Sequence, residues 1–429
     1  MNIVKIREYQ KLPRKGETTS EEKEAWEVLK KTTLVEKDKE LLEKLENKKI
    51  LFIKEDPFTK KLNLQAQSNI GIAQFTNFRV KIGPKFSDIN KVVELIEYVN
   101  ELDLDIFPES EIEFEGEKED LSEVIIGSFL DKVQILLQQG LVKSYNTREE
   151  DLSALRGKLL LYKQFQNDFR GKIQFACEYD ELEYNNLENQ IILYCLECCY
   201  DITANKLRKQ KIRQLIQVMS ELVEHRQIIQ DDFEKINYNQ MNHHYRKIHD
   251  YCKLIIDSIR ISDFYDQQPG KFVNSFFVDM NNIFEKFVFM LFNEAYPHRC
   301  TAQPRLEEGY RSKISNKALY IEPDIFIKDK KREKLQAIID TKYKEVISRD
   351  DRYQLSMYAA IKQKNNVYAI LPETKDSKID DLKVKNMDIV VHIRHLNIDN
   401  VLNIINSKEI MNKKEAIREI LTKIVPIQT

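Results

Sequence analysis

Two carboxylates and an ammonium stand where hydrophobic strand patterns would be expected to exclude them. In the stretch 321–344, IEPDIFIKDKKREKLQAIIDTKYK, Asp324 and Asp340 each interrupt an apolar run, and Lys342 lies two residues beyond Asp340. The runs, 319–327 and 335–343, read as two strands joined by a charged hairpin loop, the second built around Ala337-Ile338-Ile339. Strand side chains alternate with period two, which puts Asp340 and Lys342 on one face. Pairing the strands would bring two acids and one ammonium to a single point. Ionised acids are costly to bury, and a divalent cation is the usual compensation. Solvated charges at the ends of an ordinary hairpin are the plainer account. Against it, both acids fall within hydrophobic strand centres and not at loop tips.

These side chains need elements to hold them. Upstream, 275–292 reads as a strongly apolar helix with Glu285 at its middle, either at the solvent edge or aimed at a site. Downstream, Gln354 and Tyr358 are four apart and share a helical face. Gln354 has the chemistry to position a water, a lysine or a phosphate, and Tyr358 the bulk simply to pack. Strands at 367–371 and 389–393 follow, then helices near 401–405 and 414–424. Nearer the N-terminus, a short strand at 3–6 precedes a charged helical stretch at 20–47. A strand meander then occupies 49–54, 61–66, 70–74 and 78–82, punctuated by Asn69, Gly71 and Gly83-Pro84, before a helix at 89–102. The acidic segment 109–120 reads as an exposed loop, linker or interaction arm. A helix over 121–141 leads to a mainly helical region, 150–265, with one strand-like piece at 172–179. Arg156 and Lys158 flank a glycine there and could contact phosphate, or form an ordinary solvated basic face. The expected fold class is α/β, α+β overall. The expected division is a mixed N-terminal domain 1–145, a helical middle region 146–268, and a C-terminal domain 269–429 with a mixed sheet flanked by helices.

Bulk properties narrow the function classes. The chain has 429 residues, 42% hydrophobic and 32% charged, with 10 Gly and 10 Pro, which excludes low-complexity readings. No apolar run approaches membrane-spanning length and the N-terminus lacks a secretory hydrophobic region, so a cytoplasmic protein is expected. The six cysteines fall in helical or strand patterns and read as reduced thiols. Cys195 and Cys198 have CxxC spacing, but no second pair follows at zinc-ribbon distance, so core packing is favoured over metal. The histidines near 243–249 lack the i, i+4 spacing of a helical metal pair. A net charge of −2 argues against coating nucleic acid by bulk electrostatics; local basic surfaces or a partner must hold any DNA. No GxxxxGK[ST] occurs, so nucleotide hydrolysis would belong to a partner.

Pro323-Asp324 followed by Asp340-Thr341-Lys342 resembles the PD-(D/E)xK nuclease core, whose expected order is helix, three strands, helix, strand. Such cores place an acid on their first helix, which implies Glu285 as a third carboxylate. The Gln354…Tyr358 spacing is similar to the QxxxY element of RecB-like branches. Along the whole chain the sequence resembles the McrC family, the nuclease subunit of McrBC-type modification-dependent restriction systems. The resemblance is carried by Ile70-Gly71-Ile72-Ala73, Val80-Lys81-Ile82-Gly83-Pro84-Lys85, Leu155-Arg156-Gly157-Lys158-Leu159, Tyr179-Asp180-Glu181-Leu182 with Asn189, Asp279-Met280-Asn281 with Phe284-Glu285, and the core motif through Tyr343-Lys344 and Tyr353-Gln354. It departs in Thr341, where the family often has alanine, and in a longer N-terminal and acidic region.

The resemblance implies a Mg²⁺-dependent endonuclease, with Mn²⁺ able to substitute, acting on double-stranded DNA with modified cytosine. It implies a partner, an AAA+ GTPase ring that this subunit caps and stimulates through its N-terminal region. It further implies Asp324, Asp340, Glu285 and the Thr341 carbonyl as metal ligands, and Lys342 and Gln354 beside them in catalysis. Tyr358, Lys344, Arg156 and Lys158 become candidate DNA contacts, and the products a 5′-phosphate and a 3′-hydroxyl. A stand-alone RecB-like nuclease and a catalytically idle, GTPase-stimulating cap are the alternatives.

Overall fold

In the computed structural model, residues 2–13, 20–36, 38–55, 62–102, 113–114, 117–118, 121–260, 275–304, 306–311, 318–407 and 412–427 are described. Most of the acidic segment 109–120 therefore lies outside the described residues. The fold is mixed α/β, with several separate sheets. Packing groups the chain differently from three successive regions: Met1–Ile106 joins Ser275–Thr429 in one compact unit, and most of Phe107–Arg260 forms another.

In the first unit a six-stranded sheet runs in the order Cys300–Ala302, Ile325–Lys328, Leu335–Thr341, Asn366–Pro372, Val390–Leu396, Asp380–Lys383. The two central pairings, Leu335–Thr341 with Asn366–Pro372 and Asn366–Pro372 with Val390–Leu396, are parallel. With helix Met280–Ala295 before it and helix Arg349–Ile361 within it, the chain follows the anticipated order of helix, three strands, helix, strand. A separate two-stranded pair, Leu306–Arg311 with Ala318–Ile321, is inserted after the first strand.

The centre of this sheet is dry on both faces. Phe326 and Ile338 join Leu355, Tyr358 and Ala359 of helix Arg349–Ile361 in one apolar cluster. Their neighbours Ile325, Ile327 and Ile339 alternate with them and are also fully buried. Each such side chain contributes about 1.5–3 kcal/mol of burial, and together they can hold a carboxylate in the same strand.

Two expected elements form differently. The strand anticipated at 319–327 breaks into Ala318–Ile321 and Ile325–Lys328. Pro323 has no N–H to donate to a ladder and restricts the residue before it, so the extended run is interrupted there. The break leaves Asp324 at the mouth of the second strand, not within it. The helix anticipated from 275 begins only at Met280, and Phe276–Asp279 is a strand instead. Aromatic and β-branched residues favour a pleated surface, and Asp279 caps the helix by accepting a hydrogen bond from the Asn281 amide.

That strand completes a second sheet, in the order Asn2–Arg7, Phe78–Gly83, Asn69–Gln74, Phe276–Asp279, which ties the N-terminal meander to the start of the C-terminal part. The junction requires glycine at position 71. A Cβ there would stand 1.9 Å from the Phe276 carbonyl oxygen, and the backbone φ is +152°.

In the second unit, helices Leu121–Gln139, Leu187–Ile202, Lys206–Ser220 and Tyr245–Arg260 pack together. Cys195, Cys198, Cys199 and Cys252 are buried in this core and take part in no disulfide. His249 is a core residue too, its ring nitrogens bonded to the Tyr238 hydroxyl and the Glu188 carbonyl. The region is less helical than its composition suggests. Ser144–Leu152, Lys158–Leu159 and Phe175–Glu183 form a three-stranded sheet. SYNTREEDL shows no hydrophobic alternation because that strand is solvated over much of its length.

Candidate functional site

Ile325 faces Ile339 in an antiparallel pair, so Asp324, the residue before Ile325–Lys328, comes opposite Asp340, the penultimate residue of Leu335–Thr341. Asp324 and Asp340 thus come to the same end of the sheet. The contact that locks Asp324 is one that spacing alone does not reveal: the Thr341 amide and hydroxyl both donate to Asp324 Oδ2, each at 2.6 Å. Thr341 anchors the first acid through its amide and side chain. Its hydroxyl is one an alanine at this position would lack.

Asp340 is 1% exposed. Lys342 Nζ stands 2.5 Å from its Oδ2, as the shared face predicts. Among the described residues Asp340 Oδ1 has no partner at all, and Oδ2 meets only this ammonium. A buried carboxylate with an oxygen left unsatisfied is expensive. Burial, reinforced by the nearby Asp324 charge, pushes Asp340 up to about 7 despite Lys342.

Glu285 lies on helix Met280–Ala295, half-buried, and accepts a hydrogen bond from Gln303 Nε2 at 2.8 Å. Gln303 also donates its amide to the Asp324 carbonyl at 2.8 Å, which brackets the helix acid to the strand acid. It does so with φ of +41°, unusual for a non-glycine residue. No sequence pattern marks Gln303, because its role depends on where the chain turns back. Glu285 is raised by burial first and by Asp324 second. For Lys342, burial pulls downward, but Asp340 and Asp324 outweigh it and the net shift is upward. All three groups lean toward binding protons. The site carries more negative charge than its single ammonium neutralises.

A relay fixes the lysine. Lys342 Nζ donates to Gln354 Oε1 at 3.3 Å, Gln354 Nε2 to the Tyr358 hydroxyl at 2.6 Å, and Tyr358 to the Glu322 carbonyl at 3.1 Å. Gln354 therefore positions the lysine, one of the three roles its chemistry allowed. Tyr358 is 3% exposed, and its hydroxyl is committed within this relay. The DNA-facing role anticipated for it does not fit that placement; it packs against the sheet and orients Gln354.

The remaining candidates have partners of their own. Lys344 is ion-paired with Asp351, whose carboxylate also receives the Ser348 amide in a capping box. Arg156 and Lys158 lie in the second unit. The Arg156 guanidinium sits 4.0 Å over the Tyr179 ring and within 3.4 Å of Glu181, and Lys158 Nζ is 3.0 Å from Glu178. Gly157 between them is required, since a Cβ would come within 2.3 Å of the Glu178 carbonyl oxygen.

The acids fit a hard cation. Among the described residues no three His, Cys, Asp or Glu side chains form a ready metal cage. Mg²⁺ does not need one, since it is usually held by one or two carboxylates together with waters and substrate phosphate. Asp340 Oδ1 is available for that purpose, and the three carboxylates outnumber the one ammonium beside them.

Comparisons with known proteins agree with this architecture. Over 99% of this chain and 100% of the other, the fold matches a structure described as a refined half-complex from a tetradecameric assembly of Thermococcus gammatolerans McrB AAA+ hexamers with bound McrC, at 17% identity and TM-score 0.59. A cryo-EM structure of the Thermococcus gammatolerans McrBC complex aligns over 70% of this chain and 89% of that one, at 18% identity and TM-score 0.45. No curated protein matches the sequence. The family described as McrBC 5-methylcytosine restriction system component matches residues 64–372, a span that takes in Glu285, Asp324, Asp340, Lys342 and Gln354. With that match covering well over half of its length, the chain belongs to the McrBC 5-methylcytosine restriction system component family.

Proposed function

We propose that this protein is the DNA-cleaving subunit of a modification-dependent restriction complex, a Mg²⁺-dependent endodeoxyribonuclease of PD-(D/E)xK type that works engaged with an AAA+ GTPase ring. The observation that carries the reading is Asp340: a buried carboxylate with one oxygen unpartnered and the other met only by Lys342, beside Asp324 at one end of the sheet.

Asp340 and Asp324 would hold the cation, with Glu285 and the Thr341 carbonyl completing the protein's share of the ligands. Mn²⁺, another oxygen-seeking ion, would substitute. When bound, the metal supplies positive charge that acidifies a water and offsets charge growing on the scissile phosphate. Lys342 orients the attacking water and adds its own charge next to the developing phosphorane. Gln354 and Tyr358 keep the ammonium from swinging away. The Thr341 hydroxyl and amide hold Asp324 in its rotamer.

A near-neutral chain needs help to grip DNA, and the ring partner is proposed to supply it. The solved Thermococcus gammatolerans relative is bound to McrB AAA+ hexamers. In this chain the second unit exposes Tyr162, Phe165, Phe169 and Ile173 at 78%, 71%, 98% and 97%, an apolar surface of the kind partners cover. That surface lies beyond residues 1–145, so the partner-binding region is proposed to extend past them. No described helix is long and apolar enough to cross a membrane, and a cytoplasmic location suits a DNA substrate.

The deciding experiment is cleavage of methylated and unmethylated plasmid, with and without the ring partner, GTP and Mg²⁺. Cutting only of methylated DNA and only with all three present is the expected result. Cutting of linear DNA alone, without the partner, would favour an end-dependent nuclease. GTPase stimulation without any cutting would favour an idle cap.

A further inference from the structure

The residue after the site lysine is held from the far end of the chain. Tyr343 is 3% exposed and Glu8, just past strand Asn2–Arg7, is 1% exposed. The Tyr343 hydroxyl donates to Glu8 Oε2 at 3.1 Å, and the same oxygen accepts the Lys85 amide at 3.1 Å. The Tyr9 hydroxyl donates to the Tyr343 carbonyl. Phe86 meets the Tyr343 ring edge-on at 4.8 Å, the ring of Phe284 on helix Met280–Ala295 is centred 5.7 Å away, and Lys85 Nζ pairs with Glu345 at 3.0 Å. Tyr9 achieves its position with φ of +59°, rare for a bulky residue, and its amide is tied to the Gln67 carbonyl at 3.3 Å.

We propose that Glu8 and Tyr9 are positioning residues for Lys342: by clamping the ring and carbonyl of Tyr343, they fix the backbone that carries the ammonium to Asp340. The relay through Gln354 restrains the tip of the lysine, but it cannot set where the main chain leaves the sheet. Leu335–Thr341 ends one residue before Lys342, and the last ladder contact beyond it is the Lys342 amide to the Ile370 carbonyl at 2.9 Å. Past that bond the Lys344 amide closes a turn onto the Lys342 carbonyl at 2.8 Å and Lys344 pairs with Asp351, while the Glu8–Tyr9–Tyr343 clamp holds the residue between them. Burial pushes Glu8 up to about 8, so it is largely neutral at physiological pH and a glutamine can take its place.

The inference rests on Lys342 being the working ammonium of the proposed nuclease, and its test separates the two. In the full-length protein, the rate of amine labelling at Lys342 is followed by peptide mass spectrometry. Lys91, ion-paired with Glu94 at 2.7 Å in the same unit, serves as the internal reference. Tyr9→Phe and Tyr343→Phe each remove one hydroxyl and should raise the Lys342:Lys91 labelling ratio roughly fivefold, the fold-change of one lost hydrogen bond. Glu8→Gln keeps an acceptor for Tyr343 and should leave the ratio at the wild-type value. With ring partner, GTP and Mg²⁺, the two hydroxyl deletions should lower cleavage turnover about tenfold with the KM for DNA unchanged. An unchanged ratio in both deletions, or an equal rise in Glu8→Gln, overturns the clamp. A wild-type protein that cuts no DNA overturns the nuclease reading, while the labelling ratio still decides the clamp.

Discussion

Replacing Asp340 by asparagine removes a charge that the metal-free fold holds at a cost, and the size of that cost can be worked out. The folded protein pushes Asp340 from the ordinary 3.8 up to about 7, burial being the main cause. At about 1.36 kcal/mol per pH unit, that rise is about 4 kcal/mol. The sign follows from linkage. A carboxyl that binds its proton more tightly when folded contributes stability that is full below the unfolded value and is lost as pH rises through about 7. Wild type in EDTA should therefore lose stability between pH 4 and pH 8 more steeply than Asp340→Asn. Glu8 and Glu285 are also raised, but both remain in the variant, so the difference between the two curves isolates Asp340. By pH 8 the gap should approach roughly 8 °C in Tm. Adding Mg²⁺ at pH 8 should recover most of it in wild type and nothing in Asp340→Asn. The assay is thermal unfolding across pH with and without Mg²⁺. Parallel pH curves for the two proteins, or equal stabilisation by Mg²⁺, would refute the account of Asp340 as a buried acid awaiting a cation.

Other consequences are local. Asp324→Ala should lower cleavage by roughly 10³-fold without weakening partner binding, measured by single-turnover cutting and by co-purification with the ring. Tyr358→Phe frees Gln354 and should cost about tenfold in turnover, with Mg²⁺ binding by calorimetry unchanged. Gly71→Ala drives a methyl into the Phe276 carbonyl and should cost at least about 2 kcal/mol in urea unfolding. Phe165→Asp together with Phe169→Asp should abolish ring capture and leave Tm within a degree or two, because both side chains are exposed.

Much of the site was legible in advance because it rests on short-range rules. Period-two alternation put Lys342 on the face of Asp340, and the 2.5 Å contact follows from it. Helical spacing joined Gln354 to Tyr358, while the core order of helix, three strands, helix, strand was what the nuclease resemblance implied, its first strand, Cys300–Ala302, having no apolar run to announce it. What stayed hidden depends on where distant segments return. Phe276–Asp279 is as apolar as the helix that follows, and only its pairing with Asn69–Gln74 makes it a strand. Ser144–Leu152 has no hydrophobic alternation, so its place beside Phe175–Glu183 is written in cross-strand partners, not in its own pattern. Whether Tyr358 faced DNA or the core could not be settled from its spacing, because both faces of a helix carry the same period; the apolar cluster around Ile338 and Leu355 decided it. The sequence by itself determined which side chains could make a cation site and which local elements would present them. Tertiary structure alone decided that Thr341 anchors Asp324, that Gln303 brackets Glu285, and that Glu8 and Tyr9 close on Tyr343. Those contacts join residues whose separation in the chain, from 17 positions for Thr341 to 335 for Glu8, carries no periodic trace.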